Sequence, residues 1–372
     1  MIYNNKFQNT SGKIHWANTV IKENDKPVWI RKSLGDALNI PHRNDHYLIF
    51  RDQIKDLDYI RNCSEIHDSG LFQQLDAFKY CVLLDFREVQ DSEDKKYAKL
   101  SEYLQGGGVP DIEISLKKLS YRNLYDSFHA ACGTEILKQI LEFFAKPEDL
   151  KLFLPEFKYR LKNFLNELTL ITFRTNDQDI IVRNICLDIN KWITFSENQE
   201  FSAFRKIITF YWIIFKNIFT SHNNVDKILF ELVSEYMLAD EICSAVKPFG
   251  LEIDQNNFIS LLIVLTTDKS IFSAKTIKTI LTRIKTLLKD QNVQNYIGCN
   301  KFNDVIWFNR EKLEQLLEVL LEVDLLKLAF TRKPDPAELK KALKLCAVLK
   351  SRLHTALQES EYKLEKFLTS LT

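Results

Sequence analysis

Residues 296–330 read YIGCNKFNDVIWFNREKLEQLLEVLLEVDLLKLAF, a short aromatic segment running into the most apolar helix of the chain. Asn309 stands where a helix cap belongs, because its side-chain oxygen can accept from the orphan amides of the first turn. Phe308 before it and Leu313 after it occupy the positions of a hydrophobic staple. Leu313, Leu316, Leu317, Leu320, Val323 and Leu326 follow at helical spacing, and Val319, Leu321, Leu325 and Leu328 widen the apolar arc until little polar face remains. A helix of that kind is buried on most sides. Each large aliphatic side chain it buries contributes roughly 1.5 to 3 kcal/mol, so other helices must supply the walls.

Working outward, 372 residues imply two or three domains with a substantial core. Lys and Arg number 51 against 50 for Asp and Glu, so the whole-chain field offers no general attraction for nucleic acid or anionic lipid. The seven cysteines are scattered and form no CxxC pair, which reads as reduced, mostly buried thiols of a cytoplasmic protein. The start, MIYNNKFQNTSGK, lacks the charged and then apolar pattern of a secretion signal. The longest apolar run, 207–215, falls short of the ~20 residues that a membrane span needs.

The first ninety residues differ in kind from the rest. Ile14 to Ile21 and Val28 to Arg31 are rich in β-branched and aromatic residues around the polar turn ENDKP, and predict a hairpin. Tyr47 to Phe50, Asp58 to Ile60 and Phe78 to Val89 offer further strands, and Ser33 can cap a short helix through Leu38. From Asp91 the period becomes helical. Segments 95–104, 135–144, 148–173, 180–195, 200–219, 226–238, 256–265 and 273–289 read as helices, Ser273 capping the last, before the central helix 309–329 and a final pair, 336–353 and 355–370. The expected class is α+β, with a small antiparallel β domain over 1–90 and a large irregular helical domain over 91–372.

Few residues carry chemistry. Gly106, Gly107 and Gly108 are followed by no Lys-Ser or Lys-Thr, so they read as a turn between helices and not a phosphate loop. His42 and His46 are four apart in a non-helical stretch, and no metal site or cofactor is expected. Asp85 lies in the apolar strand LLDFREV, where an outward or Arg87-paired side chain is the plain reading. Cys132 follows His129 by three residues but reads as a buried helix cysteine. Two basic stretches, 273–289 and 332–352, would contact phosphates only if adjacent, and solvated faces are the simpler reading. Trp16, Trp29 and Tyr47 in the β region can stack on sugar rings, being flat and apolar with a polar edge, but core packing is the plainer role for all three. No catalytic residue is assigned.

Several phrases together carry a resemblance. YNNKF, GDALNI followed by YLIFRD, LDYIR, LLDFREV, EYLQGGGVPDIEISL and IGCNKFNDVIWFNREKLEQLL resemble the region after the catalytic barrel in large bacterial proteins of the alpha-amylase family of glycoside hydrolases. The likeness runs from residue 2 to about 145 and returns at 296–320. FRDQ at 50–53 and RNDH at 43–46 echo the family's catalytic letters in the wrong order, so no catalytic residue transfers. The resemblance implies a noncatalytic accessory module with an α-amylase-like catalytic domain or an α-glucan as partner. The alternative is a free-standing helical interaction module with no carbohydrate role.

Overall fold

A computed structural model describes residues 1–23, 26–172, 177–196, 201–219, 231–251, 254–267, 276–330 and 336–371. The chain divides into two units, Met1–Arg122 and Asn123–Thr372. Small antiparallel sheets in the first and helices through most of the second make the class α+β, as expected.

The first unit contains β1 (Ile2–Tyr3), β2 (Thr10–Ile14), β3 (Trp16–Glu23), β4 (Lys26–Ser33), α1 (Leu34–Ala37), β5 (His46–Asp52), β6 (Leu57–Asn62), α2 (Cys63–Ser69), β7 (Leu71–Leu75), β8 (Tyr80–Cys81), β9 (Leu83–Gln90), α3 (Lys96–Leu104) and α4 (Ile112–Ser120). Its largest sheet has the order β6-β5-β9, and the other pairs are β1 with β8, β2 with β7 and β3 with β4. Side chains alternate across a strand, and β5 is covered on both faces. Tyr47 and Ile49 pack with Ile60, Tyr97, Leu100, Ile112 and Leu116 on one side. Leu48 and Phe50 pack with Ile40, Cys63, Ile66 and Leu71 on the other.

That double layer corrects the expected boundary at residue 90. Helices α3 and α4 supply one face of the β core through Tyr97, Leu100, Ile112 and Leu116, so the unit continues to Arg122. Ser33 caps α1 as expected, its hydroxyl accepting from the Asp36 amide at 3.1 Å. The hairpin also forms as expected, with Thr19 opposite Ile30 and Val20 opposite Trp29, while the turn residues 24 and 25 lie outside the described residues.

The second unit contains α5 (Arg122–Cys132), α6 (Thr134–Glu142), α7 (Leu150–Thr172), α8 (Gln178–Phe195), α9 (Ala203–Phe219), α10 (Leu238–Val246), α11 (Gln255–Thr267), α12 (Ile277–Leu287) and α13 (Gln291–Tyr296). The hairpin β10 (Asn300–Phe302) and β11 (Val305–Trp307) follows, then α14 (Arg310–Ala329), α15 (Pro336–Glu359) and α16 (Leu364–Ser370). Asn309 caps α14, accepting from the Lys312 amide at 2.8 Å. Leu313, Leu316, Leu320 and Val323 are fully buried, which places that helix in the interior as its pattern demands.

The centre is a pair of helices, where the sequence pattern singled out one. Residues 207–215 of α9 are all buried, Trp212, Tyr211, Phe210 and Phe215 among them. Both central helices carry polar groups into the interior. Arg205 of α9 donates to Glu322 of α14 from Nε at 3.0 Å, with Nη2 at 2.9 Å, and Thr209 donates to the same carboxylate at 3.4 Å. Burial pushes the Glu322 carboxyl above its usual range, against the opposing pull of Arg205.

Other boundaries move. The expected break near residue 354 is absent, because α15 continues to Glu359 before the turn that leads to α16. Met237, at φ 55°, precedes α10, so no helix ends at Leu238. The expected segment 226–238 is described only from residue 231, and Ser273 also lies outside the described residues, where Thr276 is the residue that caps α12. Among the described residues no helix is long and apolar enough to cross a membrane.

Candidate functional site

Directly paired residues of an antiparallel ladder share a face, and alternate residues along each strand return to it. In β3 and β4 the register is Trp16 with Ser33, Asn18 with Arg31 and Val20 with Trp29. Trp16, Asn18, Val20, Trp29, Arg31 and Ser33 therefore form one face of the ribbon. That face is open: Trp29 is 73% exposed, Trp16 56% and Val20 46%. The Arg31 guanidinium lies 4.6 Å from the centre of the Trp16 ring, a cation–π contact that holds this indole from one side. The two tryptophans sit on rungs four residues apart, roughly 13 Å along the strand at ~3.3 Å per residue.

This arrangement can do a limited set of things. Two indoles flanking a guanidinium and an amide offer flat apolar surface beside hydrogen-bond donors, the combination that a polyhydroxylated ring with one apolar face requires.

Tyr47, expected to share this role, does not. It is 7% exposed, packs in the β core, and burial pushes its phenol above the usual range. The reason is its strand: β5 is the middle strand of three, and a ring in the layer under α3 and α4 has no open face.

The remaining chemical candidates disperse. Cys132 is completely buried, and burial pushes its thiol well above the usual range, which disfavours the thiolate. His129 pairs with Glu241 at 2.6 Å. His42 contacts Asp68 at 2.9 Å and stacks on His67 at 4.8 Å, while His46 bonds Glu88, so the two histidines are not brought to one point. Among the described residues no group of three or more metal-ligating side chains converges.

Asp85 is exposed at φ 54°, where β9 shifts register against β5 between Ile49 and Arg51, and it accepts from Gln53 at 3.3 Å. It sits in a β-bulge, with Arg87 turned instead to Glu113 at 3.0 Å. The glycines form a turn: Gly107 donates to Leu104 at 2.7 Å, and Gly108 lies so close to Tyr59 that a Cβ would sit 2.7 Å from that ring. The Asp111 carboxylate caps α4 from Ile114 at 2.9 Å, leaving no vacancy for an anion. As for the basic stretches, Leu281 of α12 and Arg352 of α15 line one pocket, where Glu359 brings the opposite charge; Lys275 and Arg332 lie outside the described residues.

One aromatic group escaped the sequence reading. Tyr3 pairs with Tyr80 across β1 and β8, and Phe7 meets Phe78 edge-on at 4.8 Å, all four rings well exposed. The signal is faint, because β1 and β8 have two residues each and show no alternation to read. Comparison with protein-family models, curated proteins and solved structures returns no match for this chain.

Proposed function

We propose that this chain is a cytoplasmic, noncatalytic accessory module that serves an α-amylase-like glycoside hydrolase by holding it on an α-glucan. The observation that carries the reading is the shared, open face of Trp16, Arg31 and Trp29 on a two-stranded ribbon. An indole presents ~150–250 Å² of surface, and leaving two of them in water forgoes burial that a bound sugar chain would recover. The sequence likeness to the post-barrel region of that enzyme family supplies the enzyme class and the polymer.

Affinity electrophoresis through native gels with and without glycogen or amylose tests this directly. The chain is expected to be retarded by either polymer and not by a β-linked glucan. Trp29→Ala and Trp16→Ala should each restore most of the free mobility, with unchanged circular dichroism. Equal mobility in every gel would overturn the reading and favour a helical interaction module, for which the exposed Leu152 and Tyr159, seven residues apart on one face of α7, are the specific support.

A further inference from the structure

Helix α7 is apolar on two opposite faces. Phe157, Leu161, Phe164, Leu165 and Leu168 are buried and fix it to the helical unit. On the other face stand Leu152, Tyr159 and Leu170, spaced by seven and then eleven residues, which at 3.6 residues per turn is two turns and then three. One line of large side chains therefore runs most of the length of the helix. It is open: Leu152 is 83% exposed, Leu170 67% and Tyr159 64%. Single surface leucines are ordinary, but apolar side chains in register form the seam by which one helix meets another.

Helix α8 widens this surface. Lys162 of α7 meets Asp179 of α8 at 2.9 Å, both side chains being at least half exposed, and Gln178 donates to Thr169 at 3.2 Å. The start of α8 thus lies beside the second half of α7. Ile180, next to Asp179, is exposed, and so is Leu187 two turns further on. At roughly 150–200 Å² for a fully open large side chain, the five residues leave on the order of 500 Å² of apolar surface in water. That is the upper end of what a monomer usually shows in one patch. Doubled across a pair of copies and framed by polar flanks, it approaches the ~1,200–2,000 Å² of a specific interface.

The flanks of α7 say which occupant fits. On the helical wheel Lys151, Lys158 and Lys162 fall along one edge of the Leu152–Tyr159–Leu170 line, and Glu156, Glu167 and Arg160 along the other. Two of these charges are already engaged, Lys162 with Asp179 and Arg160 with Glu156 at 2.9 Å. With both pairs set aside the edges still differ in sign, Lys151 and Lys158 on one and Glu167 on the other. A two-fold axis along α7 turns the basic edge of each copy to the acidic edge of its mate, whereas an axis across α7 brings like edges together. In the first arrangement Lys151 faces Glu156 and Lys162 faces Glu167 of the second copy, each five residues on, which is the spacing of charge pairs across two parallel helices.

We infer that the α7–α8 face docks a second copy of this chain, α7 against α7 in parallel about a two-fold axis. The patch is its own complement, so the assembly closes at two. The dimer is independent of the ribbon face and does not rest on the glycan reading.

Sedimentation velocity of the full chain over a concentration series tests the pair. A species of twice the chain mass is expected at micromolar concentration. Leu152→Glu with Tyr159→Glu, both at exposed positions, should leave circular dichroism unchanged and weaken association at least about tenfold. Glu156→Lys should weaken it less, and adding Lys151→Glu to the same chain should recover part of that loss. For the orientation, Leu152→Cys and Leu170→Cys, made singly and treated with oxidised glutathione, should each cross-link to itself. A monomer at every concentration up to the millimolar range, a dimer that the paired glutamates leave intact, or growth beyond two copies would overturn the proposal. Cross-linking seen only when the two cysteine variants are mixed would overturn the parallel arrangement.

Discussion

Tryptophan meets opposite fates in the two units. Trp192 and Trp212 of the helical unit are at most 1% exposed, whereas Trp16 and Trp29 of the β unit are 56% and 73% exposed. Residue chemistry is the same, so the difference lies in what covers it. A helix such as α9 packs against several others, and Trp212 finds both the Phe330 ring to stack on and a carbonyl, that of Leu265 at 3.1 Å, for its N–H. The ribbon β3–β4 is only two strands wide, and its Trp16 side is left in water. Aromatic content alone therefore does not separate core from contact surface; the number of layers over a strand or helix does.

The comparison predicts a steep gradient of stability effects, and its upper end lies in α14. Leu316 and Leu320, one turn apart and fully buried, should each cost roughly 2 to 5 kcal/mol when cut to alanine. Set against a typical stability of ~5–15 kcal/mol, the double variant should be unfolded or barely soluble. Glu314→Ala, a half-buried position whose carboxylate lies 3.4 Å from His354, should stay within about 0.5 kcal/mol. Urea melts that showed the leucine pair to be as harmless as Glu314 would mean the helix is a surface ridge and would erase the contrast between units.

Further down the gradient, matched substitutions address tryptophan itself. Trp212→Ala should cost about 3–5 kcal/mol, losing ring contacts and leaving a cavity. Trp16→Ala should cost ~0.5–1 kcal/mol, the usual size of an exposed cation–π contact such as that with Arg31. Trp29→Ala, the most exposed of the three, should fall within about 0.5 kcal/mol. If chemical denaturation ranked Trp29 beside Trp212, the ribbon face would be structural and its availability to a glycan would be lost.

Much of this was legible in the sequence because it was periodic. The cap at Asn309, the interior stripe of α14, the cap at Ser33 and the hairpin of β3 and β4 follow from local rules that burial then reinforces. What escaped was set by contacts distant in the chain. Tyr47 could be grouped with Trp16 and Trp29 as a stacking candidate because a single strand does not announce that helices beginning at Lys96 and Ile112 will cover it. The same ignorance placed the β boundary at residue 90 and hid the meeting of Tyr3 with Tyr80. Short helices such as α2 and α13 carry too few turns to show a stripe.

The buried pair Arg205–Glu322 has a consequence for the folding of α14. A helix that is apolar nearly all round has many rotational settings of similar hydrophobic energy, since one leucine replaces another as it turns. Each step of one residue rotates the face by about 100°. Any such step would carry Glu322 away from Arg205 and leave that carboxylate buried without its cation, a loss on the order of 3–5 kcal/mol for breaking a buried pair. The charges thus act as an index mark: leucines make α14 stick, and its buried carboxylates, Glu322 and Asp324, decide at which angle it stops.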